Sequence, residues 1–198
     1  MTNKIIGIQG DKLDKINISS DTSIFLAHEA QKLGYKIFYY TPSNLSIIKN
    51  KTYANGVFVK LNYERKKFYK IYKKQKIDVE NLKFILIRQD PPFNSEYLIT
   101  TLILDDLKKT RVINNPVAIR NVSEKLYSKK FTKYMPDTIF SNNIEEVKKF
   151  YKQNKSIIMK PINGYGGNQI HLIKNKFNKK LITNFLKKNG HSMLQKFL

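Results

Sequence analysis

The sequence predicts an α/β protein in which an N-terminal domain with a parallel sheet (residues 1–120) precedes a smaller α+β domain (residues 121–198). Residues 4–9 form an apolar, strand-like run, residues 22–33 show helical spacing, and residues 35–40 form a second strand-like run. A strand, a helix and a strand in this order indicate a βαβ unit, which favours a parallel sheet.

The composition is that of a globular protein. The 198 residues are 41% hydrophobic and 12% aromatic, and a chain of this length buries about 70% of its unfolded surface. The absence of cysteine excludes disulfides, thiolate metal sites and cysteine nucleophiles. The chain opens without a signal-peptide pattern, and no apolar stretch approaches the roughly 20 residues that span a bilayer. We therefore expect a cytoplasmic protein without a membrane partner.

The net charge of +22 invites a nucleic-acid interpretation. Only four of the 37 basic residues are arginines, whereas base readout favours arginine and single-strand binding needs aromatic platforms beside the basic groove. Lysine is spread over the whole chain together with asparagine and isoleucine, and all three have A/T-rich codons. Compositional drift of the genome explains the charge at least as well. We expect no specific nucleic-acid partner, and tight, sequence-dependent binding at about 150 mM salt would contradict this.

Local patterns predict further features of the first domain. Leu26, Ala30 and Leu33 recur at helical spacing and predict the buried stripe of the first helix. Asn55-Gly56 lies between short β-prone runs and predicts a hairpin turn. Residues 63–76 contain two Lys-Lys pairs among tyrosines. This pattern is more typical of a solvated, mobile edge than of a basic landing patch.

A compact apolar strand, Phe84–Ile87, leads into the turn Arg88-Gln89-Asp90-Pro91-Pro92-Phe93. The two prolines restrict this turn and bias Asp90 toward an extended conformation. Arg88 and Asp90 would thus lie at the carboxyl end of a parallel strand, where open α/β sheets bind ligands. The structural alternative is an ion pair. We take both residues as candidates for ligand binding.

The remaining elements alternate between helices and short strands. Helices are predicted at Tyr97–Leu107, Glu124–Tyr127, after a cap at Asn142 or Asn143, and at Lys179–Lys188. Strands are predicted at Val112–Asn114, Thr138–Phe140, Gln169–Ile173 and Ser192–Leu198. The sequence stops within the last of these strands, which we interpret as a truncation.

The segment Ile157–Gly167 carries a chemical signal of its own. An apolar run ends at Lys160, just before a loop with three glycines in four positions. Pro161 lacks a backbone donor, so the strand should end there. Glycines let successive backbone N–H groups approach a ligand, and such a turn beside a lysine forms an anion site. These residues alone fit a nucleotide-phosphate site and a lysine-tipped strand with a mobile hairpin equally well.

Other familiar sites are missing from the sequence. His28, His171 and His191 have no metal-ligand spacing to one another or to an acidic residue. There is no Gly-x-x-x-x-Gly-Lys-Ser/Thr phosphate loop, no Gly-x-Gly-x-x-Gly after the first strand and no hydrolase elbow. We predict no metal site within these 198 residues.

Four sets of residues together resemble prokaryotic glutathione synthetase, a family of ATP-grasp ligases. They are Ile16–Ser23, Glu29–Tyr35, Arg88–Phe93, and Glu124–Leu126 with Lys160-Pro161 and Gly164–Gly167. The Asp-Pro-Pro-Phe loop is the most family-specific, whereas the lysines and the glycine loop are shared by ATP-grasp enzymes generally. The similarity runs over essentially the whole chain but covers about the first two thirds of the family's usual length. It implies a Rossmann-like, pre-ATP-grasp domain followed by the small lobe of an incomplete ATP-grasp domain.

The resemblance implies a ligase that joins γ-glutamylcysteine to glycine through an acyl phosphate formed with ATP. By the family pattern, two lysines hold the ATP phosphates, the glycine loop closes over them, and the last residues line the adenine pocket. The residues concerned are Lys125, Lys160, Gly164, Tyr165, Gly166, Gly167, Gln195, Phe197 and Leu198. Arg88 and Asp90 are the candidates for the peptide-substrate side. The resemblance also implies Mg²⁺, with ligands beyond the end of this sequence, and a homo-oligomeric full-length protein.

Two departures from the family pattern matter. Asn163 stands where the family commonly has aspartate, which removes a negative charge next to the phosphates but keeps a residue suited to turns. The family's metal ligands follow the last residue given, so we expect this chain by itself to be catalytically inactive. One alternative is another ATP-grasp ligase, for glutamate or D-alanine, which would lack the Asp-Pro-Pro-Phe loop. The other is a non-catalytic nucleotide-binding fragment.

Overall fold

A computed structural model describes residues 4–198. The chain divides into two compact units, and the division falls between Arg120 and Asn121. The N-terminal unit contains a seven-stranded sheet and the C-terminal unit a four-stranded sheet. Within the described part of the chain, no helix is long and apolar enough to cross a membrane.

The first unit is a mixed sheet flanked by helices. Its strands are β1 (Ile5–Gln9), β2 (Lys36–Tyr40), β3 (Leu45–Ile48), β4 (Lys51–Leu61), β5 (Tyr69–Asp78), β6 (Phe84–Ile87) and β7 (Arg111–Ile113). Its helices are α1 (Thr22–Lys32), α2 (Ser95–Asp105) and α3 (Pro116–Asn121), and short 3-10 turns lie at Leu13–Lys15, Pro42–Asn44 and Val79–Asn81. The order is β3-β4-β2-β1-β6-β7, with β5 also paired to β4. Strands β2, β1, β6 and β7 are parallel, whereas β3, β4 and β5 pair antiparallel.

Both faces of the parallel strands are covered. On one face, α1 packs in a cluster that includes Ile6, Ile8, Ile24, Ala27 and Ile37. On the other face, α2 contributes to a cluster that includes Phe38, Tyr40, Ile85, Ile87 and Leu104. Strands buried on both faces are apolar at nearly every position, which explains the continuous apolar runs in the sequence. The predicted parallel α/β fold is confirmed.

The buried stripe predicted for α1 is wrong at Leu26 and Leu33 and right only at Ala30. Leu26 and Leu33 are 48% and 71% exposed, and the helix faces the core with Ile24, Ala27 and Ala30. Both sets satisfy helical spacing, so the pattern alone does not distinguish the two faces.

The hairpin predicted at Asn55-Gly56 is also wrong. Both residues lie inside β4, and the turn before that strand is Lys49-Asn50, where both residues have positive φ (49° and 57°). A Cβ at Gly56 would lie 2.5 Å from Phe38 Cζ and 2.6 Å from the Tyr39 carbonyl oxygen. The glycine therefore marks a close approach between neighbouring strands and not a turn.

Residues 63–76 form the connection after β4 and most of β5, which within residues 4–198 pairs only with β4. The side chains of this strand are largely exposed, including Lys70, Lys73, Lys74 and Lys76. Lysine on an edge strand discourages pairing with another sheet edge. The predicted solvated edge is confirmed, although the segment is largely a regular strand and not a mobile loop.

The second unit begins with α4 (Glu124–Tyr127) and a 3-10 segment (Ser128–Tyr134). It continues with β8 (Thr138–Ser141), α5 (Ile144–Asn154), β9 (Ser156–Pro161), β10 (His171–Lys174), α6 (Lys179–Asn189) and β11 (Ser192–Lys196). Its strands pair antiparallel in the order β10-β9-β11-β8. Asn143 caps α5, where its side chain accepts a hydrogen bond from the Glu145 N–H at 2.8 Å. The predicted order of helices and strands in this unit is confirmed.

The two faces of the second sheet differ in chemistry. One face packs against α5 and α6 in a core that includes Val147, Ile157, Met159, Ile182, Phe185 and Leu194. Because side chains alternate along a strand, the residues between these core positions lie on the opposite face. This face, called the open face below, carries Thr138 and Phe140 of β8, Ile158 and Lys160 of β9, and Met193 and Gln195 of β11.

Glu80 fixes the loop between α2 and β7 in the first unit. Its carboxylate accepts hydrogen bonds from the backbone N–H groups of Lys108 (2.6 Å), Lys109 (2.8 Å) and Thr110 (2.9 Å). Burial by itself would raise the pKa of Glu80, but these hydrogen bonds outweigh burial and lower the pKa below its ordinary value of 4.5. The loop is thus held by an ionised side chain.

We expect Glu80→Gln to lower the free energy of unfolding of the first unit by about 1–2 kcal/mol at neutral pH, because an amide accepts hydrogen bonds more weakly than a carboxylate. A lowered folded-state pKa gives stability that is present above the unfolded pKa and is lost as pH falls through the folded value. Urea unfolding of the unaltered chain and of Glu80→Gln, followed through β7 amide signals, is compared at about pH 7 and about pH 3. The difference in free energy of unfolding between the two chains should be smaller at about pH 3. An equal difference at both pH values would contradict this role for Glu80.

Candidate functional site

A cavity of about 340 Å³ in the second unit brings together several residues singled out in the sequence. Its walls come from α4, from the end of β9 and from the loop that follows β9. The polar and glycine residues that line it are Glu124, Lys125, Ser128, Lys160, Gly164, Tyr165, Gly166, Gly167 and Asn168. Pro161, Ile170 and Met193 complete the lining.

Lys160 enters the cavity from β9. The strand ends at Pro161, as predicted from the missing backbone donor. Lys160 lies opposite Met193 of β11 on the open face. Its Nζ donates a hydrogen bond to Gln195 Oε1 at 3.0 Å. The ammonium group therefore has a defined position at the rim of the cavity.

The glycine loop requires its glycines for two reasons, which are backbone conformation and space. Gly166 and Gly167 have φ values of +57° and +74°, in the left-handed region that favours glycine. Gly164 is required for space, because a Cβ there would lie 2.9 Å from Pro161 Cγ. The loop is closed by a hydrogen bond from the Asn168 N–H to the Tyr165 carbonyl at 3.0 Å.

Lys125 approaches the same loop from α4. Its Nζ donates a hydrogen bond to the Gly164 carbonyl oxygen, so the helix and the glycine loop are joined directly. The Ser128 hydroxyl in turn donates to the Lys125 carbonyl at 2.5 Å, which supports the last turn of this short helix. Two ammonium groups from different elements thus lie on one cavity.

The three residues expected to line an adenine pocket fall in different places. Gln195 lies on the open face beside Lys160, whereas Phe197 and Leu198 follow the end of β11 and are 43% and 87% exposed. The side-chain amide of Gln195 also donates to Thr138 Oγ1 at 3.0 Å. Sequence reasoning missed Thr138, which is 57 positions away and carries no motif.

The residues of this cavity fit the phosphate groups of a nucleotide. Two ammonium groups beside a glycine turn with positive-φ residues are components of an anion site. Glu124 contributes one opposing carboxylate to the lining, and Asn163 is exposed at the start of the turn and adds no charge. The balance of charge around the glycine loop is therefore positive.

The described residues can also be compared with what a metal ion requires. The family resemblance implies ATP together with Mg²⁺. Residues 4–198 contain no group of three His, Asp or Glu side chains that would hold such an ion. We therefore assign no metal-dependent step to the side chains described here.

A second polar group lies at the carboxyl ends of the parallel strands in the first unit. Arg88 follows β6; its Nε donates to Ser23 Oγ at 2.9 Å and its Nη2 donates to Thr22 Oγ1 at 2.8 Å. Both hydroxyls belong to the first turn of α1. Arg88 forms no ion pair in the described part of the chain. The ion pair with Asp90 that the sequence left open is thus replaced by two hydroxyl contacts.

Asp90 is linked to the loop after β1. Its backbone N–H donates to Asp11 Oδ2 at 2.9 Å, which joins loops that follow adjacent parallel strands. Beneath them, Gln9 Nε2 donates to Gln89 Oε1 at 2.6 Å, and both side chains are buried. The turn that presents Asp90 is therefore held by the neighbouring strand as well as by its prolines.

The carboxylates at this edge lie close enough to Tyr39 to act on its hydroxyl. Burial, and then the charges of Asp21, Asp11 and Asp90, raise the pKa of Tyr39. The Tyr39 hydroxyl donates to the Asp11 carbonyl at 2.6 Å. Sequence reasoning missed Asp11, although its position just after a parallel strand was a usable signal.

Two family models match the chain. The model for the N-terminal domain of prokaryotic glutathione synthetase matches residues 5–120, and the model for the ATP-grasp domain of the same family matches residues 124–198. The chain is similar to the glutathione synthetase of Mesorhizobium japonicum, with 37% identity over 163 residues, which are 82% of this chain and 52% of that protein. Similarity to the glutathione synthetase of Vibrio parahaemolyticus is 32% over 198 residues, which are 98% of this chain and 63% of that protein. The chain thus spans between half and two thirds of these relatives.

Solved structures share the fold at much lower identity. The RimK domain protein ATP-grasp from Sphaerobacter thermophilus superposes with a TM-score of 0.60 at 10% identity, covering 98% of this chain and 64% of that one. This likeness concerns the fold alone, and it agrees with an N-terminal domain followed by part of an ATP-grasp domain. Since the two family models together cover nearly the whole chain, this chain belongs to the prokaryotic glutathione synthetase family.

Proposed function

We propose that this chain belongs to an ATP-dependent carboxylate–amine ligase that joins γ-glutamylcysteine and glycine to give glutathione. The observation that carries the proposal is the meeting of Lys125, Lys160 and the glycine loop on one cavity. Family membership supplies the reaction class, and the Asp-Pro-Pro-Phe loop favours glutathione synthesis over a glutamate or D-alanine ligase.

In the proposed reaction, an oxygen of the cysteinyl carboxylate attacks the γ-phosphorus of ATP, the bond to the β-phosphate oxygen breaks, and ADP leaves. The glycine amine then attacks the acyl carbon, the bond between that carbon and the phosphate oxygen breaks, phosphate leaves, and the amine loses a proton. Neither step needs a protein nucleophile. The tasks left to the protein are charge neutralisation, alignment and the exclusion of water.

Lys125 and Lys160 are the groups we assign to charge neutralisation. An ammonium group stabilises phosphate oxygens as a compact charge with three donors. The Lys125 contact with the Gly164 carbonyl links this charge to the glycine loop, so that movement of the loop and placement of the lysine are coupled. We propose that the loop, with Tyr165 exposed at its tip, closes over the bound phosphates.

The carboxyl edge of the first sheet is our candidate for the peptide-substrate side. γ-Glutamylcysteine carries an α-ammonium and two carboxylates. The exposed carboxylates of Asp11 and Asp90 suit the ammonium group. Arg88 keeps N–H donors beyond the two used by Ser23 and Thr22, and a guanidinium suits a carboxylate.

A chimera tests the ligase proposal. The chain aligns with 63% of the Vibrio parahaemolyticus protein, so the remaining C-terminal part can be taken from that relative. This chain, joined to the remaining C-terminal part of that relative, should form glutathione from γ-glutamylcysteine, glycine and ATP with Mg²⁺. Mass spectrometry detects the product, and the unjoined chain is the control, from which we expect no turnover. A folded chimera that binds ATP but ligates D-alanine or glutamate instead would contradict the proposal.

A further inference from the structure

Three hydrogen bonds in series cross the second sheet at the open face. The Thr138 hydroxyl donates to the Pro136 carbonyl at 2.7 Å. Gln195 Nε2 donates to the Thr138 oxygen at 3.0 Å, and Lys160 Nζ donates to Gln195 Oε1 at 3.0 Å. The series therefore begins at a backbone carbonyl and ends at a charged side chain in the cavity.

The direction of this series is fixed by its two ends. A backbone carbonyl can only accept, and an ammonium group can only donate. Because the Thr138 proton is used on Pro136, its oxygen is left to accept from the NH₂ of Gln195. The amide oxygen of Gln195 must then face Lys160. Reversing the amide would place two donors face to face at Lys160 and would remove the donor that Thr138 accepts from.

Apolar side chains lie beside Gln195 on this face, and one of them, the buried Met193, also borders the cavity. Met193 lies two positions before Gln195 on the same face of β11, and it lines the cavity together with Lys160. Ile158 is paired with Gln195 across β9, and Phe140 with Met193 across β8. A hydrogen-bond acceptor of fixed orientation thus lies among apolar side chains next to the proposed phosphate site.

We propose that Thr138 is a positioning residue that sets the orientation of the Gln195 amide and, through it, the preference for the nucleobase. The inference rests on the proposed nucleotide site. The Gln195 oxygen, which faces Lys160 and accepts from its Nζ, has a second lone pair that accepts from the exocyclic amine of an adenine base and opposes a base with a carbonyl at that position. Thr138 itself does not touch the nucleotide.

The test compares ATP with ITP, which carries a carbonyl where ATP has the amine. Dissociation constants are measured by NMR titration of the 198-residue chain. We expect Thr138→Val, which keeps the shape and removes the hydroxyl, to reduce the preference for ATP over ITP about three- to tenfold. Thr138→Ser, which keeps the hydroxyl, should leave the preference within about twofold of the unaltered chain. Gln195→Met removes the acceptor and should abolish the preference, which keeps the test available if Thr138→Val does not fold.

Testing Thr138→Val in a second variant, Gln195→Glu, separates a positioning role of Thr138 from a general structural role. Glutamate at position 195 presents acceptor oxygens in either orientation, so in the Gln195→Glu chain the substitution Thr138→Val should leave the ATP/ITP ratio unchanged. A ratio that falls equally in both backgrounds would overturn the inference. If the unaltered chain prefers ATP and Thr138→Val keeps that preference, the inference is wrong while the nucleotide site stands. If the unaltered chain binds neither nucleotide, the nucleotide site is wrong and the inference falls with it.

Discussion

Lys160→Met should weaken ATP binding by this chain at least tenfold. The ammonium group stands at the end of β9 with its position fixed by Gln195, so its loss removes a preformed charge without disturbing the core side of the strand. A lysine–phosphate pair at about 4 Å contributes on the order of 4 kcal/mol at an effective dielectric of 20, before the costs of desolvation. A tenfold loss, about 1.4 kcal/mol, is a conservative share of that energy. Isothermal titration calorimetry or NMR titration measures the dissociation constant for ATP in both chains.

Lys174→Met is the matched control for this charge. Lys174 is an exposed lysine of the same unit, and it pairs with Ser156 at the far end of β9. We expect the control to change ATP affinity less than twofold at about 150 mM salt, where exposed charges are screened. Equal losses in both variants would show that ATP responds to net charge alone and would contradict a specific site at Lys160.

Gly56→Ala should destabilise the first unit by about 2–3 kcal/mol, because the added methyl group overlaps tightly packed atoms. Its Cβ would lie 2.5 Å from the Phe38 ring and 2.6 Å from the Tyr39 carbonyl oxygen, and a backbone atom cannot move aside as a flexible side chain can. The chain has two units, so global unfolding need not be two-state. Urea titration followed through the β1 and β2 amide signals reports on the correct unit.

Asn55→Ala is the neighbouring control. Asn55 is exposed on β4, and we expect its replacement to change stability by less than about 0.5 kcal/mol. If the two residues formed a hairpin turn, both substitutions would cost stability through the turn conformation. A Gly56→Ala variant as stable as Asn55→Ala would contradict the close packing of β4 on β2.

The order of elements was predictable from the sequence because each strand or helix carries a local signal. The run from Lys4 to Gln9 is apolar at most positions since both faces of β1 are covered, and Pro161 ends β9 because it lacks a backbone donor. These causes act within a few residues, so the sequence displays them directly.

The errors arose where distant residues decide between local alternatives. Two faces of α1 have helical spacing, and the sheet selects the one with Ile24. Asn55-Gly56 resembles a turn, but packing of Phe38 against Gly56 keeps it in a strand. The true turn, Lys49-Asn50, lacks the usual glycine, although both residues take positive φ.

The candidate site was predictable only in part. The glycine loop and Lys160 had a local anion-site signal, whereas Lys125 and Gln195 entered through the family resemblance. The contacts that orient these and the substrate-side groups join residues far apart in sequence, such as Gln195 with Thr138, Arg88 with Ser23, and Asp90 with Asp11. A side-chain contact across 57 to 79 positions leaves no periodic trace in a single sequence.

The central claim is that the cavity formed by Lys125, Lys160 and the glycine loop binds the phosphates of ATP. Amide and methyl NMR signals of the 198-residue chain, followed through an ATP titration at about 150 mM salt, test it most directly. We predict saturable shifts at Gly164–Gly167, Lys160 and the Met193 methyl group, with a weak dissociation constant of about 1 mM. Shifts confined to the lysines of β5, or shifts that never saturate, would contradict the claim.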